Sequence, residues 1–220
     1  MTPTHKPRVK ICCIGSVEEA RLAIQYGASA IGLVSAMPSG PGPISEELIA
    51  KIAATVPPAV ATFLLTCKQN PQEVIEQQRR TRVNTIQLVD SFPINGYKEL
   101  QDALAGVRIV QVIHVRDNNS IDEAVTIATH VNALLLDSGN PTLAVKELGG
   151  TGRIHNWSVS RKIREAVSIP VFLAGGLKSE NVREAIEKVN PYALDVCSGV
   201  RTNGSLDEEK LARFFSALLP

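Results

Sequence analysis

The sequence lacks an excess of either charge: 23 Lys+Arg stand against 22 Asp+Glu in 220 residues, a formal net charge of +1. Broad nucleic-acid binding needs concentrated basic charge, so no nucleic-acid partner is expected, while a small local anion site stays open. Long hydrophobic runs are missing too. Nothing approaches the roughly 20 apolar residues that span a bilayer, so no membrane partner is expected. Met1–Lys10 is polar and basic, unlike the apolar segment of a secretory signal. Cysteine is sparse, at 12, 13, 67 and 197, with no C-x-x-C and too little density for a disulfide scaffold. The histidines at 5, 114, 130 and 155 show no zinc-ligand spacing. These absences predict free thiols, a cytoplasmic location, no metal and a small-molecule partner. Monomer and homodimer both fit.

What is present is a composition 44% hydrophobic and 20% charged, ordinary for a globular chain able to bury a core. Strand and helix signals alternate throughout. Predicted strands cover Arg8–Ile14, Ala30–Ser35, Ala59–Leu65, Thr85–Val89, Val107–Val115, Asn132–Asp137, Ile169–Ala174 and Ala193–Cys197. A helix follows each one. Ser16-Val-Glu-Glu19 and Ser120-Ile-Asp-Glu123 read as capping boxes, and Ser45 and Ser179 as further caps. Eight strand–helix pairs at about 27 residues each predict an α/β fold, a single (β/α)8 TIM barrel occupying residues 1–220 as one domain. An open doubly wound sheet is the competing architecture.

The active site of such a barrel lies at the carboxyl ends of the strands. Polar residues there are Lys10, Cys12, Gln87, His114, Asp137, Asp195 and Cys197. Side chains alternate along a strand, so Lys10 and Cys12 share one face, as do Asp195 and Cys197. By that parity Cys12 looks into the barrel mouth and Cys13 away from it, as a packing residue.

Glycine clusters form a second pattern. Gly149-Gly-Thr-Gly152 follows strand six, Ala174-Gly175-Gly176 strand seven, and Ser198-Gly199 strand eight. Glycine lets backbone N–H groups approach an anion closely, and the last two loops are the common phosphate site of this fold. Gly152, Gly175, Gly176, Ser198 and Gly199 are therefore candidate phosphate-binding residues, and the expected partner is a small phosphorylated substrate.

These residues resemble the phosphoribosylanthranilate isomerase family of tryptophan biosynthesis. Lys10-Ile-Cys-Cys-Ile14 is similar to the family's Lys-Ile-Cys-Gly-Ile opening. Leu134–Asp137 followed by Gly149–Gly152, Pro170–Leu177 with Glu180-Asn-Val182, and Leu194-Asp-Val-Cys-Ser-Gly-Val200 resemble its later motifs. The resemblance implies an Amadori rearrangement of an aminoaldose to an aminoketose, without cofactor. It makes Cys12 the base that removes the C2′ proton and Asp137 the acid that protonates the ribose ring oxygen. The base must be available as thiolate, which a cation such as Lys10 favours; the acid must hold its proton, which burial and nearby negative charge encourage. Lys10, Asp195 and Gln87 are candidate substrate-binding residues.

Four departures concern the other end of the substrate. The family's Ser-Pro-Arg loop, whose arginine grips the anthranilate carboxylate, is here Met37-Pro-Ser-Gly-Pro-Gly-Pro-Ile-Ser45. Gln-Leu-His-Gly has become Gln87-Leu-Val-Asp90, an aspartate has become Asn156, and an acidic residue has become Arg201. Either Arg116, Arg153 or Arg201 reaches the carboxylate, or the chain is a divergent paralogue for another phosphorylated sugar or aminosugar. A non-catalytic barrel that binds a phosphorylated metabolite is the third reading.

Overall fold

The computed structural model describes residues 7–140, 142–143, 145–149 and 152–219. Eight parallel strands close into a barrel in chain order: β1 Arg8–Ile11, β2 Ala30–Val34, β3 Ala61–Thr66, β4 Thr85–Leu88, β5 Arg108–His114, β6 Ala133–Asp137, β7 Val171–Leu173 and β8 Ala193–Val196. The seam is sealed by β1 on β8, with Lys10 opposite Asp195 and Ile11 opposite Val196. Eight helices alternate with the strands: α1 Val17–Gln25, α2 Glu46–Ala53, α3 Pro71–Thr81, α4 Ile94–Ala103, α5 Asn119–Ala128, α6 Trp157–Ala166, α7 Val182–Val189 and α8 Glu208–Ser216. A short hairpin, β9 Arg201–Thr202 against β10 Ser205–Leu206, precedes α8 and was not expected. Among the described residues no helix is long and apolar enough to cross a membrane.

Alternation divides each strand between two cores. In β6, Leu134 and Leu136 join the large outer core under the helices, while Ala133 and Leu135 join the core inside the barrel. Val9 and Ile11 of β1, and Leu194 and Val196 of β8, also face out. The alternate positions, Lys10, Cys12 and Asp195, therefore turn inward. Lys10 is fully buried there, its Nζ 5.2 Å from the Phe63 ring centroid. Gly32 of β2 makes the room: a Cβ at that position would lie 2.9 Å from Cys12 Sγ and 3.1 Å from Lys10 Nζ.

Helix starts follow the predicted caps at two places and depart at two. Ser16 and Ser45 accept from the backbone N–H of Glu19 and Leu48. Ser120 is not the cap of α5. The helix starts two residues earlier, at Asn119, the Asp117 carboxylate accepts from Asn119 N, and the buried Ser120 hydroxyl accepts from Arg116 N. Ser179 does not cap α7 either: that position belongs to Asn181, whose side chain turns back to accept from Lys178 N and donate to the Gly176 carbonyl.

Candidate active site

The predicted first strand stops short, at Ile11, and the reason shapes the site. Cys12 still donates its N–H to the Val196 carbonyl at 2.9 Å, but Cys13 takes a left-handed backbone with φ of +60°. A non-glycine residue rarely adopts that conformation, and it breaks the alternation on which the facing of Cys13 was predicted. Cys13 therefore does not turn away from the barrel mouth. Both Cys12 and Cys13 line the pocket at the carboxyl end of the strands, with Cys197 beside them.

Arg201 secures this bend. Its guanidinium donates to the carbonyls of Cys12 at 3.1 Å and Cys13 at 2.6 Å, and to both oxygens of Glu19. The capping-box residue Glu19 thus serves Arg201, the N–H of Gly15 and that of Leu206 rather than the N–H of its own cap, Ser16. Burial pushes the Glu19 carboxyl up, and these donors more than offset it, leaving it below the ordinary range.

The same pocket is lined by Gln87, Asp137, Asp195, Gly152, Gly175, Gly176 and Ser198. Lys10 lies behind its wall rather than on it, with Nζ 2.8 Å from Asp195 Oδ2 and 3.6 Å from Cys12 Sγ. Burial alone would drive the Lys10 ammonium down, but Asp195 and Cys12 hold it above its ordinary value. Burial pushes the Asp195 carboxyl up, Lys10 opposes this, and the charge of Asp137 adds to it. Among the described residues, the buried Asp195 Oδ1 and Gln87 Oε1 have no hydrogen-bond partner within the protein. Unpaired polar atoms cost free energy when buried, so two of them on one pocket wall mark positions suited to substrate hydroxyls or amines.

Asp137 ends β6, with Oδ1 accepting from Ser138 N at 2.7 Å. Gly149, at φ +129°, leaves space for the other oxygen, since a Cβ there would lie 2.7 Å from Oδ2. His155 was not predicted as a site residue. Its Nε2 pairs with Ser160 Oγ at 2.7 Å, and burial lowers its pKa to about 4 against the opposing pull of Asp137. Its place in the Gly-rich loop after β6 was legible; its proximity to Asp137 was not.

The predicted phosphate loops converge. Gly152, Gly176, Ser198 and Gly199 line one adjoining cleft with Lys178, and Gly199 faces that cleft rather than the main pocket. Gly176, at φ +64°, is bound to glycine twice over, by its backbone and because a Cβ would meet the Gly152 carbonyl at 2.9 Å. Gly150 and Thr151, part of the predicted loop, lie outside the described residues.

None of the three arginines considered for the carboxylate lines the main pocket, although Arg153 lines the adjoining cleft. Arg201 is committed to Glu19 and the Cys12–Cys13 backbone, Arg153 pairs with Glu147, and Arg116 is exposed on the loop after β5. His114 Nε2 donates to the Val89 carbonyl at 2.9 Å, so it too is held by the scaffold. Among the described residues no cluster of His, Cys, Asp and Glu has the arrangement of a metal site.

Fold and pocket define a (β/α)8 barrel whose polar residues gather at the carboxyl ends of its first, fourth, sixth and eighth strands. The chain belongs to the N-(5′-phosphoribosyl)anthranilate isomerase family, which it matches over residues 9–217. It is 37% identical over 208 residues to the N-(5′-phosphoribosyl)anthranilate isomerase of Methanocella arvoryzae, covering 94% of this chain and 95% of that one. Isomerase 2 of Methanosarcina mazei is also 37% identical, over 94% of this chain and 92% of its own. Among solved structures, the Thermotoga maritima phosphoribosyl anthranilate isomerase superposes with a TM-score of 0.83 at 28% identity, covering 96% and 98% of the two chains. A phosphoribosyl anthranilate isomerase in complex with reduced 1-(o-carboxyphenylamino)-1-deoxyribulose 5-phosphate gives 0.80 at 26% identity, with the same coverage.

Proposed function

We propose that this chain is a phosphoribosylanthranilate isomerase of tryptophan biosynthesis, an aldose–ketose isomerase that needs no cofactor. The observation that carries the reading is the arrangement of Cys12 and Asp137. They line one pocket from strands three places apart round the barrel, with Lys10 and Asp195 supporting the thiol side.

The glycine loops at Gly152, Gly175, Gly176, Ser198 and Gly199 hold the 5-phosphate at the ends of β6, β7 and β8. Asp137 gives its proton to the furanose ring oxygen as the C1′–O bond breaks, leaving an iminium at C1′. The Cys12 thiolate, with the Lys10 ammonium beside it, takes the proton from C2′. The resulting enolamine becomes the aminoketose when the C2′ hydroxyl loses its proton and C1′ gains one. Asp195 Oδ1 and Gln87 Oε1 accept from the sugar hydroxyls or the bridging amine.

The test is direct. Loss of anthranilate fluorescence on addition of the purified protein to N-(5′-phosphoribosyl)anthranilate is expected, and Cys12→Ser and Asp137→Asn should each abolish it. Wild-type protein that leaves the substrate unchanged refutes the assignment. One observation favours a second reading: no lysine or arginine is among the described residues lining the pocket. A substrate whose amine substituent carries no carboxylate would need none. Turnover of the aniline analogue at least as fast as that of the anthranilate would support this reading.

A further inference from the structure

Cys13 and Cys197 stand outside the proposed chemistry, yet their sulfurs are 3.0 Å apart at the seam between the first and last strands. Each is there for its own reason. The left-handed backbone at residue 13 swings that thiol to the pocket side, and the Arg201 bond to the Cys13 carbonyl fixes it there. Cys197 follows β8 directly, on the face it shares with Asp195, and is half-buried on the same wall. All four cysteines are free thiols. A disulfide needs a sulfur–sulfur distance of about 2.05 Å, so closing this pair takes a movement of roughly an ångström.

We propose that Cys13 and Cys197 form a reversible disulfide across the barrel seam, and that the bond switches the pocket off under oxidising conditions. The oxidant is a low-molecular-weight disulfide. The Cys197 thiolate attacks one of its sulfurs, the S–S bond breaks, and one thiolate leaves and takes up a proton. Cys13, giving its own proton to solvent, then attacks the Cys197 sulfur and expels the second thiolate. Two protein thiols are oxidised and one small disulfide is reduced to two thiols. Cys197 is suited to the first step: the hydrogen bond with Cys13 and the charge of Arg201 hold its thiol below the ordinary value against burial. Cys12 also neighbours Cys13, but its sulfur sits 3.6 Å from Lys10 Nζ, and the 3.0 Å contact of Cys13 is the one with Cys197.

The bond would tie the residue after the proposed base to the residue before Ser198, so that neither the thiolate nor the phosphate loop keeps its reduced geometry. Formation of the disulfide is independent of the proposed reaction; the loss of turnover rests on it, and the two are read separately.

The full chain is equilibrated in glutathione buffers from reduced to oxidised, alkylated and digested with trypsin. The expected product is peptide Ile11–Arg21 joined to Val189–Arg201, with Cys12 alkylated. Free thiols fall from four to two. Turnover falls at least tenfold and returns with dithiothreitol. In Cys197→Ser and Cys13→Gly the link disappears, and turnover no longer follows the buffer relative to each variant's own reduced form. Unlinked peptides throughout, glutathione on both cysteines without a link, or a link through Cys12 would overturn the proposal. Full linkage with unchanged turnover would overturn the switch. A reduced protein without turnover fails the proposed function instead, and the mass of the linked peptide still decides the bond.

Discussion

Arg201 donates to the carbonyl of Cys13 at 2.6 Å, and so a residue near the end of the chain fixes the backbone beside the proposed base. The guanidinium is buried, and Glu19 faces it at 3.1 Å. Breaking a buried pair from one side leaves the other charge uncompensated, at a cost of about 3–5 kcal/mol; Glu19 is partly exposed, which reduces this. Arg201→Met is expected to lose about 2–4 kcal/mol in denaturant unfolding and to lower kcat more than it raises KM. Wild-type stability in this variant would show that the contacts contribute nothing.

Lys10 and Asp195 form a buried pair, Lys10 fully enclosed and Asp195 reaching the pocket wall. Lys10→Met should cost about 3–5 kcal/mol by stranding the carboxylate and should lower kcat at least about a hundredfold. Adding Asp195→Asn removes the stranded charge, so the double variant should regain much of the stability and none of the turnover. Recovery of both would assign the pair to the scaffold alone.

His155 gives the stability a definite pH dependence. Its folded pKa, about 4, lies below the unfolded value near 6.5. Below 6.5 the unfolded chain therefore binds the proton that the folded chain refuses, and stability rises with pH between the two values. The contribution is present above pH 6.5 and is lost as pH falls towards 4, up to about 3 kcal/mol. Thermal unfolding of His155→Gln compared with wild type across this window should show a shallower slope. Parallel curves would contradict it.

Gly176→Ala puts a methyl group 2.9 Å from the Gly152 carbonyl in a left-handed backbone. The proposed phosphate loop has to shift, so KM for a phosphorylated substrate should rise about tenfold or more. Competitive inhibition by inorganic phosphate should weaken in parallel. An unaltered inhibition constant would move the phosphate elsewhere.

The barrel was legible because its signals are local. Apolar strands, helix periodicity and the caps Ser16 and Ser45 each declare themselves within a few residues, and parity placed Lys10 with Cys12 and Asp195 with Cys197. What sequence could not give was set by single backbone angles or by distant partners. Cys13 escaped the parity rule through one left-handed residue, and Glu19 was claimed by Arg201 across 182 positions. Ser120 and Ser179 lost the cap position to Asn118 and Asn181, neither of which makes a side-chain capping bond, because nearby loop contacts set where these helices start. Gly32 read as one apolar strand residue among others, although its missing side chain accommodates both Lys10 and Cys12.

The closing seam joins residues 185 apart, Lys10 and Asp195, and beside them lie Cys12, Cys13, Cys197 and Arg201. During synthesis, therefore, the Cys12 thiol is made well before Asp195 and Arg201, which complete its surroundings. A ribosome-bound chain lacking β8 holds the proposed acid, Asp137, but not the ion pair beside the proposed base. The Lys10–Asp195 pair and the Arg201 contacts come only with β8 and the segment after it, and a chain cut between β7 and β8 would have to recover them by reassociation of its pieces.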